Sequence, residues 1–229
     1  MPHYIGNSVG HYTARFAHGG SVIVLSRAAL EQLYHRHPEV VHNSNVEALT
    51  EKFGDSLVAK TMQRVGIFID ERFNHLFNGE NPWETRIWAD RFCAPLASFH
   101  ENKTPEQAHA TMAKMKKWMG FFMWSDTWEV FEGEDFRGFK DRPMREGWDF
   151  IGRLKGETGS SSRGKMDRPE LCMRNCLDDH KGCLAWKWDK VTHECNVTPW
   201  MSIGLKADHL VSGVNGAWAE ELRAWCKAR

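Results

Sequence analysis

The sequence predicts a mixed chain: an α/β front part followed by a small, disulfide-bonded α+β part. Three observations predict it. Short apolar runs alternate with amphipathic stretches over residues 1–122. Residues 123–165 lose that periodicity and end in the Gly/Ser-rich stretch 156–164, which reads as a linker. Four of the six cysteines, Cys172, Cys176, Cys183 and Cys195, then crowd into one short segment of the remaining residues, 166–229.

In the front part, Val22–Leu25 is a short apolar run that predicts a buried strand. Ser26 is a good N-cap for a helix over 27–36 that Pro38 ends, with Leu30 and Leu33 as its apolar face. A second helix starts near Asp55, carries Val58, Met62 and Val65 at helical spacing, and stops at Gly66. Pro95–His100 reads as a strand. Thr104 then caps a third helix with Pro105 at its first position and Ala108, Met112, Met115 and Met119 as its buried stripe. In the rear part, 168–177 reads as a helix with Cys172 and Cys176 on one face. Leu184–Asp189 alternates as a strand and forms a hairpin with the segment through Cys195.

Composition bounds the function. The 229 residues are 41% hydrophobic and 26% charged, with a formal net charge of zero. The sequence has no basic stripe of the kind nucleic-acid binding requires. It also has no basic-then-apolar leader and no apolar run of about 20 residues to span a bilayer. Either the chain is cytosolic or it is part of a longer secretory protein. The cysteine cluster favours the second, because a disulfide framework persists only in an oxidising compartment. Zinc is the competing reading, with His180 and His193 as further ligands, although the cysteine spacing lacks paired CxxC knuckles. Two sequons, Asn102-Lys103-Thr104 and Asn196-Val197-Thr198, agree with a secretory route.

Four segments carry a resemblance. Phe16-Ala17-His18-Gly19-Gly20-Ser21-Val22-Ile23-Val24-Leu25-Ser26 resembles the F-A-x-G-G-[AS]-G-x-x-L-S segment of the Fringe-like β-1,3-galactosyltransferases, glycosyltransferase family 31, of the fungal type. Tyr4-Ile5-Gly6 resembles the strand before it. Gly54-Asp55-Ser56-Leu57-Val58-Ala59 resembles the acidic helix start, and Phe92–His100 the closing W-C-x-P-x-x-[ST]-x-H strand. Val22 stands where the family has glycine, Phe92 replaces a tryptophan, and Glu101 replaces a frequent second histidine. The Asp-x-Asp that binds metal and nucleotide in the family does not occur in this sequence. The resemblance therefore implies the C-terminal half of a GT-A-like domain at 1–122. The rear part, 166–229, resembles a PAN/Apple domain, which implies disulfides Cys172–Cys195 and Cys176–Cys183; the sequence itself leaves all three pairings of these four cysteines open.

What the resemblance implies for function is an inverting hexosyltransferase. It would move galactose or N-acetylglucosamine from a UDP-sugar to a glycan or glycoprotein acceptor, with Mn²⁺, in the Golgi membrane. Asp55 is then the candidate base, since an ionised carboxylate can take the acceptor's proton; its alternative role is to complement its helix dipole. His100 is the candidate metal ligand, and otherwise one of twelve histidines. Gly19, Gly20 and Ser21 are candidate donor- or acceptor-binding residues, because glycine lets backbone approach a ligand; otherwise they form a turn. Trp83, Trp88 and Trp118 offer an acceptor platform or, alternatively, core packing. The second functional reading is a non-catalytic protein that binds a glycan or protein through the PAN/Apple-like part.

Overall fold

The computed structural model describes residues 1–11, 14–100, 102–116, 118, 120–131, 138–139, 142–152, 154, 160–179 and 181–228. Met119, His180, Glu101 and the first part of the Gly/Ser stretch (156–159) lie outside them. The chain is mixed α and β, with small sheets and three disulfides. It divides into two compact units: Met1–Asn81 with Leu96–Lys103, and Pro82–Pro95 with Thr104–Arg229. Among the described residues no helix is long and apolar enough to cross a membrane.

In the first unit, β1 (Tyr4–Gly6) pairs antiparallel with β4 (Ile23–Leu25), and β2 (Ser8–Val9) with β3 (Phe16–Ala17). Within the run Val22–Leu25, Ile23–Leu25 is thus a strand, but not a buried one. Alternate side chains of a strand face opposite ways, so Ile23 and Leu25 pack on the core while Val24 is 41% exposed. Ser26 Oγ accepts from Ala29 N–H at 3.3 Å and starts α1 (Arg27–Glu31), which runs on as a π-turn to Arg36. Leu33 is buried but Leu30 is 40% exposed. The helix ends before Pro38, as expected, and Pro38 itself opens a further helix, α2 (Pro38–Glu47), since a missing N–H costs nothing at a helix's first position. Then α3 (Gly54–Arg64) follows, and it ends in a Schellman turn. Ile67 N–H donates to Met62 C=O and Gly66 N–H to Gln63 C=O, both at 2.9 Å, with Gly66 at φ 75°. Tyr4, Ala17, Ala29, Leu33, Ala59, Met62, Val65 and Ile67 form the core.

Pro95–His100 is not a strand of any sheet. Its extended backbone is held by the loop before it: Ala97 N–H donates to Leu76 C=O, Asn78 N–H to Ser98 C=O and His100 N–H to Glu80 C=O. Leu96–His100 returns in this way to the first unit, whereas Pro82–Pro95 belongs to the second.

In the second unit, β6 (Arg145–Asp149), β7 (Ser161–Lys165), β8 (Ala185–Asp189), β9 (Glu194–Thr198) and β11 (Leu205–Val214) form an antiparallel sheet of order β6-β11-β8-β9-β7. Part of the expected linker is therefore the edge strand β7: a Gly/Ser composition does not prevent pairing once β9 presents an open edge. Two further strands, β5 (Ile87–Trp88) and β10 (Trp200–Met201), pair with each other. The helix α4 (Pro105–Met115) is capped by Thr104 Oγ1, which accepts from Gln107 N–H at 3.2 Å. Its buried face is rotated from the expected one: Thr111 is buried and Met112 is 55% exposed. A short α5 (Asp126–Val130) follows. Next, α6 (Pro169–Asp178) presents Cys172 and Cys176 to the sheet, where they pack with Trp186, Trp188, Val197 and Val211. The last helix, α7 (Gly216–Lys227), is capped by Asn215 Oδ1, which accepts from Trp218 N–H at 3.2 Å.

All six cysteines are bonded, as Cys172–Cys195, Cys176–Cys183 and Cys93–Cys226. The first two are the pairings the PAN/Apple resemblance implied. They leave no thiolate for zinc, so the cysteine-zinc alternative is set aside. The third joins Pro82–Pro95 to α7.

Candidate functional site

The candidate site is built round one tight turn of the first unit. β3 delivers His18, and a 3₁₀ turn at Gly19–Ser21 follows it. The position of this turn is fixed from behind. Tyr4, fully buried on β1, accepts the Ala17 N–H on its phenol oxygen at 2.8 Å. His18 N–H donates to Asn7 C=O at 2.9 Å. Burial pushes the Tyr4 phenol pKa up against the lowering effect of the Ala17 N–H, and the nearby Asp55 charge adds to the rise.

Asp55 stands in the first turn of α3, where a carboxylate complements the helix dipole. It does more than that. Its Oδ2 accepts the Gly19 N–H at 3.0 Å while Oδ1 accepts the Ser56 N–H at 2.8 Å. A carboxylate offers about four lone-pair positions, so about two remain for another donor. A β-carbon on Gly19 would come within 3.3 Å of the Asp55 β-carbon.

His100 closes the turn on its other side. A β-carbon on Gly20 would overlap His100 Nε2, so glycine is a steric requirement of this arrangement. His100 Nδ1 lies 3.4 Å from Gly79 C=O. An Nδ1–H directed at that carbonyl leaves Nε2 as the nitrogen with a free lone pair. The His18 ring meets the His100 ring edge-on, with centres 4.4 Å apart and planes 82° apart. His18 Nδ1 is buried with no hydrogen-bond partner.

Asp55, Gly19, Gly20 and His100 thus come together, as the helix-start carboxylate and the strand-end imidazole on either side of a glycine turn. Ser21 takes a different part. It is fully buried; Ser98 Oγ donates to its C=O at 2.7 Å and Asn7 Nδ2 lies 3.5 Å from its Oγ. It anchors the turn and presents nothing to solvent. Trp83, Trp88 and Trp118 belong to the second unit and pack on other rings: Phe131 at 5.5 Å, Trp200 at 4.5 Å and Phe122 at 5.7 Å.

No family model, curated protein or solved structure matches this chain.

Sequence reasoning passed over His18 as a site residue. Nothing local separates it from the other histidines; its orphaned nitrogen exists only once β3 meets the 96–103 segment. For a metal the fit is poor in one respect: among the described residues no group of three His, Cys, Asp or Glu side chains is arranged to hold an ion. Manganese favours oxygen ligands, and His100 brings a single nitrogen, so these residues by themselves do not make a manganese site.

Proposed function

We propose that the first unit is the acceptor-side half of an inverting, UDP-sugar-dependent glycosyltransferase of GT-A type, related to the Fringe-like enzymes. One observation carries this reading: Asp55 and His100, the two residues to which the resemblance gives chemistry, flank the same Gly19–Gly20 turn. In such a site the glycines admit the sugar to the backbone. Asp55, already oriented by two N–H donors, accepts the proton of the attacking hydroxyl on a remaining lone pair. Three disulfides favour an oxidising compartment, in keeping with a Golgi enzyme. The donor's diphosphate and any manganese would need ligands beyond these residues.

The test is calorimetric titration of the 229-residue chain with UDP, UDP-galactose and UDP-N-acetylglucosamine, with and without Mn²⁺, followed by a donor-hydrolysis assay. Saturable UDP binding, with turnover that falls about 100-fold or more in Asp55→Asn, supports the reading; general-base catalysis contributes on the order of 10²–10⁴-fold. Full turnover in Asp55→Asn removes the base assignment.

A second reading, in which the PAN/Apple-like part binds a glycan or protein without catalysis, rests on the disulfide-bonded helix and sheet of the second unit. Glycan-array binding by the whole chain, with no UDP affinity, would select it.

A further inference from the structure

We propose that Asn102 is an N-glycosylation site, the acceptor of an oligosaccharide carried on a lipid pyrophosphate, and that Asn196 is not. Both stand in an acceptor triplet, Asn102-Lys103-Thr104 and Asn196-Val197-Thr198. The motif alone does not separate them; the structure does. The modification requires the oxidising compartment that three disulfides favour, and it does not depend on the transferase reading.

The chemistry sets what an acceptor must offer. The asparagine Nδ2 attacks the anomeric carbon of the donor sugar. An N–C bond forms, the C–O bond to the pyrophosphate breaks, and the lipid pyrophosphate leaves with the electron pair. The nitrogen gives up one proton to a base of the transferring enzyme. A carboxamide nitrogen is a weak nucleophile, because its lone pair is delocalised into the carbonyl. The enzyme must therefore grip the asparagine together with the hydroxyl two residues on, which takes a segment that can leave its surroundings. The attached glycan is bulky and solvated, so it must then project from the surface.

Asn102 meets these needs. It lies outside any helix or strand, just before α4, and is half-buried, while Lys103, Thr104, Pro105 and Glu106 are exposed. Thr104 accepts the Gln107 N–H at 3.2 Å, an exposed cap that water can replace. Asn196 fails them. It sits in β9 between two strands, opposite Lys187 of β8 and Ser162 of β7. Val197 and Thr198 are buried, and Thr198 Oγ1 lies 2.7 Å from Trp200 C=O and 3.3 Å from Ala185 C=O. Cys195, the preceding residue, is buried and bonded to Cys172. Reaching Asn196 means pulling β9 out of the sheet. Before β9 pairs, Pro199 still restricts Thr198 to extended backbone.

The full chain is directed into the secretory pathway of eukaryotic cells behind a cleavable leader. Total cell protein is then read by gel mobility before and after digestion with a peptide N-glycosidase, and the modified peptide is identified by mass spectrometry. The expected result is a single glycan per chain, on Asn102, lost in Asn102→Gln and kept in Asn196→Gln. Two changes at Thr104 separate the modification from the helix cap. Thr104→Ser keeps hydroxyl and cap and should keep the glycan. Thr104→Asp keeps the cap, since aspartate caps a helix at least as well as threonine, and should lose it. Reading total rather than exported protein lets a poorly folded variant report as well. The proposal is overturned if the wild type carries no glycan, if Asn196 carries one, or if Asn102→Gln or Thr104→Asp is modified as the wild type is.

Discussion

The two units are held together by different means, and the candidate site lies in the one with fewer covalent constraints. The second unit has all three disulfides, a five-stranded sheet and a core of tryptophans against cystines. The first has no cysteine, only two-stranded pairings, and a core of small and aliphatic side chains round Tyr4. Its turn is positioned by single hydrogen bonds, from Ala17 to Tyr4, His18 to Asn7 and Gly19 to Asp55. A small sheet buries little area, so each of these bonds matters more to the site than any one bond matters to the stapled unit. Asp149 in the second unit illustrates the contrast. It binds Lys187 Nζ at 2.8 Å and also caps the N–H groups of Ile151 and Gly152, within a sheet that two cystines already constrain.

The largest effect expected from this contrast concerns the disulfides. In the chain-entropy account a bridge contributes more when it closes a longer loop. Cys93–Cys226 spans 133 residues of sequence, Cys172–Cys195 spans 23 and Cys176–Cys183 spans 7. Replacing each pair by Ser should therefore cost about 5, 3 and 2.5 kcal/mol in that order, on the same account. Denaturant unfolding followed by hydrogen exchange over 161–226 measures it. Exchange over 1–81 should barely change. Equal loss of protection in both units would break the comparison.

Tyr4→Phe probes the other side at a smaller scale. It removes the oxygen that accepts Ala17 N–H inside the core, which costs about 1–3 kcal/mol for an unpaired buried donor. The loss should appear in the exchange of residues 4–25 and leave 161–226 alone. The pH dependence has a definite sign. Since the folded phenol's pKa is raised by burial above its ordinary value of 10, the native state holds the proton more tightly than the unfolded chain does. Stability is fully present below about pH 10 and is lost as the pH climbs above it. Tyr4→Phe should flatten that alkaline limb, as a pH series of melting temperatures would record.

Local signals were legible in the sequence and long-range ones were not. Ser26, Thr104 and Gly66 mark helix ends because a cap is a matter of a few neighbouring residues. The Pro38 helix was missed because a proline reads equally as a stop or as a first residue, and its polar composition gives it little periodicity. On α4, Thr111 rather than Met112 faces inward; Ala108 and Met115 of the expected stripe are half-buried, and so are 107 and 114 on either side of them. The cystine pairing Cys93–Cys226 and the move of Pro82–Pro95 into the second unit depend on contacts more than a hundred residues apart, which no local pattern encodes. The site was legible in part. Asp55, Gly19, Gly20 and His100 stand in segments that carry the family's motifs, but the role of Ser21 as a buried anchor and the unpaired nitrogen of His18 follow from packing.

The smallest effect belongs to Val22, where the sequence departs from the motif it otherwise resembles. The motif has glycine there, and the structure supplies a physical reason: Val22 has φ 88°, in the region that L residues avoid and β-branched residues avoid most. Its side chain is 46% exposed, so little packing repays the strain. Val22→Gly should therefore stabilise the first unit by about 1 kcal/mol, the strain of about 1–3 kcal/mol being partly offset by glycine's greater freedom in the unfolded chain. Thermal unfolding monitored by exchange over 16–25 would register the gain. A loss instead would mean that the turn tolerates Val22 without strain. The gain would also sharpen the contrast between the units. The first would be carrying uncompensated strain one residue from the buried Ser21 that anchors its site, while the second is constrained chiefly by covalent bonds.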